Sequence, residues 1–411
     1  MTSQTAPAGA PPLQGLRVVE LAETVAGEFE GRLLAELGAE VLKVERPGGS
    51  PTRAVGPFVQ GRPDPDASLN FWYYNSNKLS VILDYADPAR HAELDALLAA
   101  ADILIWTFQP GEARALGLSP EAISARHPRL IIAAVTAFGL SGPWADYSSS
   151  ELVAMALGGP LFSCGYDDHS IPPIMPGGPQ SSHCATSFAH VGVMLALIER
   201  DKTGQGQIVD VSMHDATAMN IENANPYWFY PRAPVYRQTC RHAQPKATEA
   251  SHFLCADGGY VYYTLVLSEQ RAWKALVAWM DSKDLAAHLT DPKFLNLDER
   301  QKHYGEIHSM LECFFLLIDT QDACREGQEA GLPIGAINAP EDLFDDPHLR
   351  ARGFFQSVET PGVGAVRYPG PIYRFSAFAT QPRAPAPALG ADQPILSALL
   401  EGKATPAQGR F

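Results

Sequence analysis

The stretch LRVVELAETVAGEFEGRLLAELGAEVLKVE, Leu16 to Glu45, decides the fold class. Its first six residues, Leu16–Leu21, form a short apolar run of the kind that makes a buried strand. From about Ala26 to Leu37 the apolar residues recur at helical spacing, and the run stops at Gly38, a favoured helix-ending residue. Ala39–Glu45 (AEVLKVE) reads as a second strand, closed by Arg46-Pro47-Gly48-Gly49. Strand, helix and strand within about 30 residues make a βαβ unit, which predicts a parallel sheet.

The same alternation continues outward. Leu79–Tyr85 (LSVILDY) reads as a strand, Asp87–Ala100 as a helix, and Ala101–Phe108 (ADILIWTF) as another strand. Pro120–Ala125 is a short helix with Ser119 placed to cap it, and Leu130–Phe138 is a further strand. The expectation is an α/β fold with a doubly wound, Rossmann-like large domain. No GxGxxG follows the first strand, so no dinucleotide fingerprint is present. Residues 141–182 are rich in Gly, Pro and Ser and read as long loops; a helix over Ala185–Asp201 and a strand over Gln207–Met213 follow. Near Asn225 the composition turns aromatic and proline-broken (NPYWFYPRAP), and residues 251–330 read as a smaller α+β unit with a strand over Tyr260–Val266. The expected organisation is a disordered lead over 1–12, a large domain over 13–225, a linker and small α+β domain over 226–335, and a C-terminal return to the large domain over 336–411.

The chain has 411 residues, 46% of them hydrophobic and 19% charged, a globular mix that excludes wholesale disorder. Its formal charge of −15 argues against a general nucleic-acid binder, which needs a basic footprint. The six cysteines (Cys164, Cys184, Cys240, Cys255, Cys313, Cys324) contain no CxxC pair, so neither a metal site nor a disulfide framework is expected. The opening MTSQTAPAGAPP has no basic or apolar leader region, and no apolar run reaches about 18 residues. A cytoplasmic protein with no membrane partner is expected.

Six stretches occur in order: LAELGAEVLKVERPGG, NSNKLSVILD, FQPG, GLSGP, RDKTGQGQIVDVS and DPHLRARGFF. Together, from about Leu13 to Ser376, they resemble the family III CoA-transferases. The resemblance implies a large α/β domain, a smaller inserted domain, and two subunits interlocked like rings of a chain. It implies CoA or an acyl-CoA as substrate, with no permanently bound cofactor. It also implies a covalent mechanism. An aspartate carboxylate attacks the donor thioester, the CoA thiolate returns to form an aspartyl-CoA thioester, and the acceptor acid cleaves it. Glycine-rich loops would supply the oxyanion donors.

In that family the aspartate stands 21 residues before the threonine of the TGxGQ motif; here 203 − 21 gives Ser182. Ser181, His183 and Cys184 beside it are not carboxylates, and the nearest acids are Asp167, Asp168 and Glu199. Cys184 is a candidate substitute nucleophile at a helix N-terminus, against its reading as a small buried residue. Ser182 reads as a helix cap, since His183 next door cannot face it. The CoA-facing positions implied by the resemblance fall on Val25, Ala26, Arg46, Lys78 and Phe108, with Arg46 and Lys78 the cations that would meet phosphates. Several of these positions have drifted: Val25 stands for a glutamine, Leu79 for an arginine, and Arg114 lies one place early. Arg232, Arg237, Arg241 and Lys246 read either as a phosphate or dicarboxylate contact or as a solvated linker. Tyr227–Tyr230 read as core or interface, with an aryl-acid pocket as the alternative. Where the related racemases carry a His–Asp pair, this chain has Ser150 and Glu151, so racemase chemistry is not expected.

The resemblance is strongest to the aspartate-lacking subunits of heteromeric members, of the succinyl-CoA:benzylsuccinate type found in anaerobic toluene breakdown. It implies a non-catalytic subunit partnered by an aspartate-containing paralogue, moving CoA from succinyl-CoA to an organic, aryl-substituted dicarboxylic acid. The alternatives are a stand-alone transferase with a non-standard nucleophile and a CoA-binding protein without catalysis.

Overall fold

The computed structural model describes residues 9–221, 224–238, 241–243, 250–265, 267–380 and 382–402. They fall into two compact units: one from the spans Met1–Pro160, Pro176–Glu222 and His348–Phe411, the other from Leu161–Met175 and Asn223–Pro347.

The larger unit is built on six strands: β1 (Arg17–Leu21), β2 (Glu40–Glu45), β3 (Leu79–Ile82), β4 (Ile103–Trp106), β5 (Ile131–Thr136) and β6 (Ile208–Ser212). They lie in the order β3-β2-β1-β4-β5-β6, and every neighbouring pair is parallel. This is the doubly wound order, with its reversal between β1 and β4. Both faces are covered, so the strands are continuous apolar runs whose successive residues enter opposite cores. Val19, Leu21, Leu104 and Trp106 pack on one side with Leu94, Leu97, Ile395 and Leu396. Val18, Val41, Ile103, Ile105 and Ile131 pack on the other with Leu34, Val193 and Leu197. The C-terminal return is therefore part of the first core.

The second face is covered by helix α1 (Val25–Glu36) and by the 24-residue helix Gln180–Thr203. Two glycines set how closely α1 approaches the sheet. A Cβ at Gly31 would overlap the Glu20 carboxylate on β1, and one at Gly27 would overlap Thr107 and Ala22. The long helix stops at Gly204, in the left-handed region at φ 73°, whose N–H closes onto the Arg200 carbonyl.

The smaller unit has an antiparallel sheet, β7 (His252–Leu254), β8 (Tyr260–Tyr263) and β9 (Ile334–Ala336), with β8 in the middle. Helices Gln270–Asp281, Tyr304–Phe315 and Thr320–Glu329 supply its core of Trp273, Leu276, Trp279, Phe314 and Phe315.

Three boundaries differ from the sequence reading. Residues 336–347 belong with the smaller unit, because β9 pairs with β8 and the chain returns only at His348. Leu161–Met175, read as a loop of the large domain, also belongs there. Residues 1–8 of the expected disordered lead lie outside the described residues, whereas Gly9 bridges Phe378 and donates to the Ala377 carbonyl at 3.2 Å. The expected strand end at Val266 lies outside the described residues.

Among the described residues, one helix, Gln180–Thr203, is long and apolar enough to cross a membrane by length and composition. One of its faces is spent on the protein, where Ser181, Ser182, Thr186, His190 and Arg200 are all buried.

Candidate functional site

The long helix begins at Gln180, five residues earlier than its apolar pattern suggests, and the reason lies on another element. A second helix, Glu151–Leu157, is capped by Ser150, whose hydroxyl accepts from the Val153 N–H at 3.3 Å. Its first residue, Glu151, reaches the start of the long helix. One carboxylate oxygen accepts from the Ser181 N–H and hydroxyl, both at 2.5 Å. The other accepts from the Ser182 N–H at 3.3 Å and its hydroxyl at 3.0 Å. Two otherwise unpaired amides of the first helical turn are satisfied by an acid 30 residues upstream. A negative charge there is also favoured by the helix dipole.

Ser182 is therefore buried with its hydroxyl turned to a carboxylate; it lies inside the helix and is not the cap that the sequence reading expected, because the capping acceptor is Glu151. His183 faces elsewhere: its Nε2 lies 2.8 Å from the Tyr74 hydroxyl, and its ring is 4.9 Å from Phe29. Burial holds the His183 imidazole below its usual pKa, with the Glu151 charge opposing. Burial also raises the Tyr74 phenol well above its usual range. The half-buried Cys184 thiol donates to the Ala216 carbonyl at 3.1 Å and accepts from the Asn220 amide at 3.2 Å. No base is among these partners, so the geometry does not activate the thiol.

The five positions read as CoA-facing separate into two groups. Arg46 and Val25 keep accessible surface. Arg46 pairs with Glu23 at 2.8 Å, and the Tyr85 hydroxyl donates to the same Glu23 oxygen at 2.7 Å. The Glu23 N–H donates to the Thr107 hydroxyl at 3.0 Å. This cluster stands at the carboxyl ends of β1 and β4, where the strand order reverses and where open α/β sheets bind ligands. The half-buried Val25 packs with Phe29, Leu33 and Tyr74.

Ala26, Lys78 and Phe108 correct the sequence reading. Phe108 is core, its ring 5.5 Å from Trp106 and 5.4 Å from Tyr85. Ala26 is 1% exposed, and its carbonyl accepts from the Thr186 hydroxyl at 2.8 Å, joining α1 to the long helix. The Lys78 side chain has no exposure at all. Its ammonium lies 2.7 Å from a Glu20 oxygen and donates to the Glu28 carbonyl and the Asn75 side chain. Burial pushes its pKa down to about 8, against the opposing pull of Glu20. Lys43 completes the cluster, 3.0 Å from Glu20 and 2.8 Å from Glu28. A lysine so enclosed has no face to offer a phosphate, and its role is to neutralise carboxylates brought inside by α1 and β1.

Arg237 donates to the carbonyls of Ile171 and Asp168 within the smaller unit, so it fastens a loop. Arg232 is exposed, at φ 55° in the left-handed region. The Arg241 side chain and Lys246 lie outside the described residues. Asp168, with its carboxylate bound to the Ser170 N–H, is exposed in the smaller unit. Tyr227, Trp228, Phe229 and Tyr230 are all exposed, which removes the core reading. Sequence reasoning missed Asp146, which holds the FQPG turn by accepting from the Gly111 N–H and pairing with Arg114 at 2.8 Å. It also treated Glu151 only as a broken base pair. The available signal was a pair of serines at a helix start with no acid of their own in the first turn.

A family model described as CoA-transferase family III matches residues 13–393. The chain is 31% identical over 379 residues to succinyl-CoA:(R)-benzylsuccinate CoA-transferase subunit BbsE of Thauera aromatica, covering 91% of this chain and 90% of that one. It is 30% identical over 381 residues to the succinyl-CoA–D-citramalate CoA-transferase of Chloroflexus aurantiacus, covering 92% and 90%. It is also 30% identical over 368 residues to the succinyl-CoA–L-malate CoA-transferase alpha subunit of Chloroflexus aurantiacus, covering 89% and 83%. Among solved structures, a CAIB/BAIF family protein from Brucella suis superposes with a TM-score of 0.81 at 26% identity, covering 95% of this chain and all of that one.

Proposed function

Because the chain belongs to CoA-transferase family III, we propose that it is the non-catalytic subunit of a heteromeric enzyme that moves CoA from succinyl-CoA to a dicarboxylic acid. Its partner is an aspartate-bearing paralogue, interlocked with it in the cytoplasm. The acceptor is of the substituted-succinate class, in keeping with the benzylsuccinate, citramalate and malate named for its relatives.

The observation that carries this reading is Ser182. The family reaction needs a carboxylate nucleophile, and the residue at that position is a serine whose hydroxyl is spent as a donor to Glu151 at 3.0 Å in the cap of the long helix. The imidazole next to it in sequence is engaged with Tyr74. A serine ester would also be a poor stage for CoA exchange, because an alkoxide leaves far less readily than a carboxylate or thiolate.

A second feature supports a partner subunit. Phe188, Val191, Leu195 and Ile198 recur at three- and four-residue spacing on one face of the long helix and are 47–60% exposed. A stripe of large apolar side chains on a monomer marks an interaction surface.

The test is CoA exchange between succinyl-CoA and a panel of dicarboxylic acids, with the purified chain alone and with the candidate paralogue added. Activity only in the mixture is expected. Turnover by the chain alone overturns the non-catalytic assignment.

A further inference from the structure

Helix α1 and the long helix cover the same face of the sheet, and among the described residues two polar links join them. In the first, the Thr186 hydroxyl donates to the Ala26 carbonyl at 2.8 Å. In the second, His190 Nδ1 lies 3.3 Å from an oxygen of Glu30. Four residues separate the links on each helix, so they occupy successive turns of two facing ridges. The first link is a neutral hydrogen bond, whereas the second joins two groups that titrate. Glu30 has no exposure at all, and its other oxygen, Oε2, accepts no hydrogen bond. We propose that Glu30 and His190 hold one proton between them as a pH-sensitive latch, and that giving up this proton loosens α1 from the long helix. The latch does not depend on whether the chain is catalytic.

The charges enclosed beneath α1 show why the proton is needed. Three carboxylates are wholly buried: Glu20 on β1, and Glu28 and Glu30 on α1. Lys43 on β2 lies 3.0 Å from Glu20 and 2.8 Å from Glu28, and Lys78, at the entry to β3, lies 2.7 Å from Glu20. Among the described residues the ion-pair partner of Glu30 is His190 alone. From the C-terminal return, the Tyr373 ring stacks on the imidazole at 6.3 Å and supplies no second acid. An enclosed carboxylate without a cation is far costlier than a neutral acid or an ion pair, so a proton on either member neutralises the link. Burial raises the Glu30 carboxyl against the pull of His190, and the Glu20 charge adds to the rise. Burial would lower the His190 imidazole, yet Glu30 beside it holds it above 6.5. Both shifts delay loss of the shared proton. Above pH 6.5 the folded chain keeps a proton that the unfolded chain has released, so this stabilisation is lost as pH rises through the folded value. Lys78 bounds the readable window from above, because burial brings its own pKa down to about 8.

Three full-length chains test the latch: the native protein, E30Q and H190Q. NMR of labelled histidine follows the His190 titration, its signal identified by its loss in H190Q. The midpoint is expected above 6.5 in the native chain and below 6.5 in E30Q, where burial acts without the acid. Urea unfolding between pH 6.5 and 8 reads the linked proton. There the folding equilibrium constant of the native chain should fall by up to about tenfold per pH unit, the limit for one proton, while that of E30Q stays level. In H190Q the fall should begin near pH 4.5, the ordinary value for a glutamate, because the enclosed acid then holds its proton alone. Hydrogen exchange, corrected for the intrinsic effect of pH, should show amides of α1 and the long helix opening more readily at pH 8 than at pH 6.5 in the native chain. A native His190 midpoint below 6.5, equal pH slopes in the native chain and E30Q, or opening that does not change with pH overturns the inference. Should either variant fail to fold, the midpoint and the exchange of the native chain still decide it.

Discussion

The Ser182 hydroxyl donates to Glu151 across 31 residues of sequence, and that bond ties the start of the longest helix to the start of another. A helix end that would normally be capped by its own preceding residue is capped here from outside. Pro179, which precedes it, has no side-chain oxygen with which to do so.

Replacing Glu151 by Ala removes that cap and leaves the amides of Ser181 and Ser182 without their acceptor. A loss of about 1–2 kcal/mol is expected from the cost of an absent N-cap. Urea unfolding checks it, and unchanged stability would show that solvent satisfies these groups just as well.

Replacing Lys78 by Met separates a structural lysine from a ligand-binding one. The buried carboxylate of Glu20 would lose its 2.7 Å partner, and a destabilisation of roughly 3–5 kcal/mol is expected from breaking an enclosed ion pair. A chain of normal stability but reduced CoA binding, measured by calorimetry, would instead restore the phosphate-contact role.

Gly31→Ala should destabilise by about 1–3 kcal/mol or more, because the added methyl group overlaps the Glu20 carboxylate beneath α1. Thermal melts of G31A against an exposed-site control such as G305A, where a Cβ meets nothing, provide the measurement.

Acid sensitivity should trace in part to Glu45. Arg53, at 2.7 Å, together with Lys43 holds its carboxyl down to about 2 against the usual 4.5, although burial alone would raise it. Between these values the unfolded chain binds the proton and the folded chain does not. The stabilisation is therefore complete above about pH 4.5 and is lost as pH falls towards 2. An E45Q chain should show a shallower fall of unfolding free energy across that window; an identical slope would assign the acid sensitivity to other groups.

Leu195→Asp places a charge in the middle of the exposed stripe on the long helix while leaving the buried face untouched. The chain should keep its circular dichroism and melting behaviour yet fail to co-elute with its paralogue in size-exclusion chromatography. Intact assembly would move the interface off this face.

The strands were the most readable part of the chain. Leu16–Leu21 became Arg17–Leu21, and Ala39–Glu45 became Glu40–Glu45, because a strand buried on both faces must be apolar throughout and end at turn residues. Ser182, the position expected for the nucleophile, and Thr203 lie on one continuous helix, so the spacing between them is kept by regular backbone. Lys78 was misread because a lysine after a turn looks the same in sequence whether it faces solvent or the buried carboxylate of Glu20. Phe108 was misread for a similar reason: its ring turns inward against Trp106 only once β4 is placed beside β1.

The sequence by itself determined the βαβ alternation, the parallel sheet and the family. Local spacing and side-chain chemistry suffice for these, because each is decided within one element or one continuous run. Only the tertiary structure decided that Lys78 is neutralised inside the protein, that residues 336–347 stay with the smaller unit, and that Glu151 caps the long helix through Ser181 and Ser182. Each depends on a partner distant along the chain, and hydrogen bonds and Coulomb attraction act on distance in space, which local sequence does not encode.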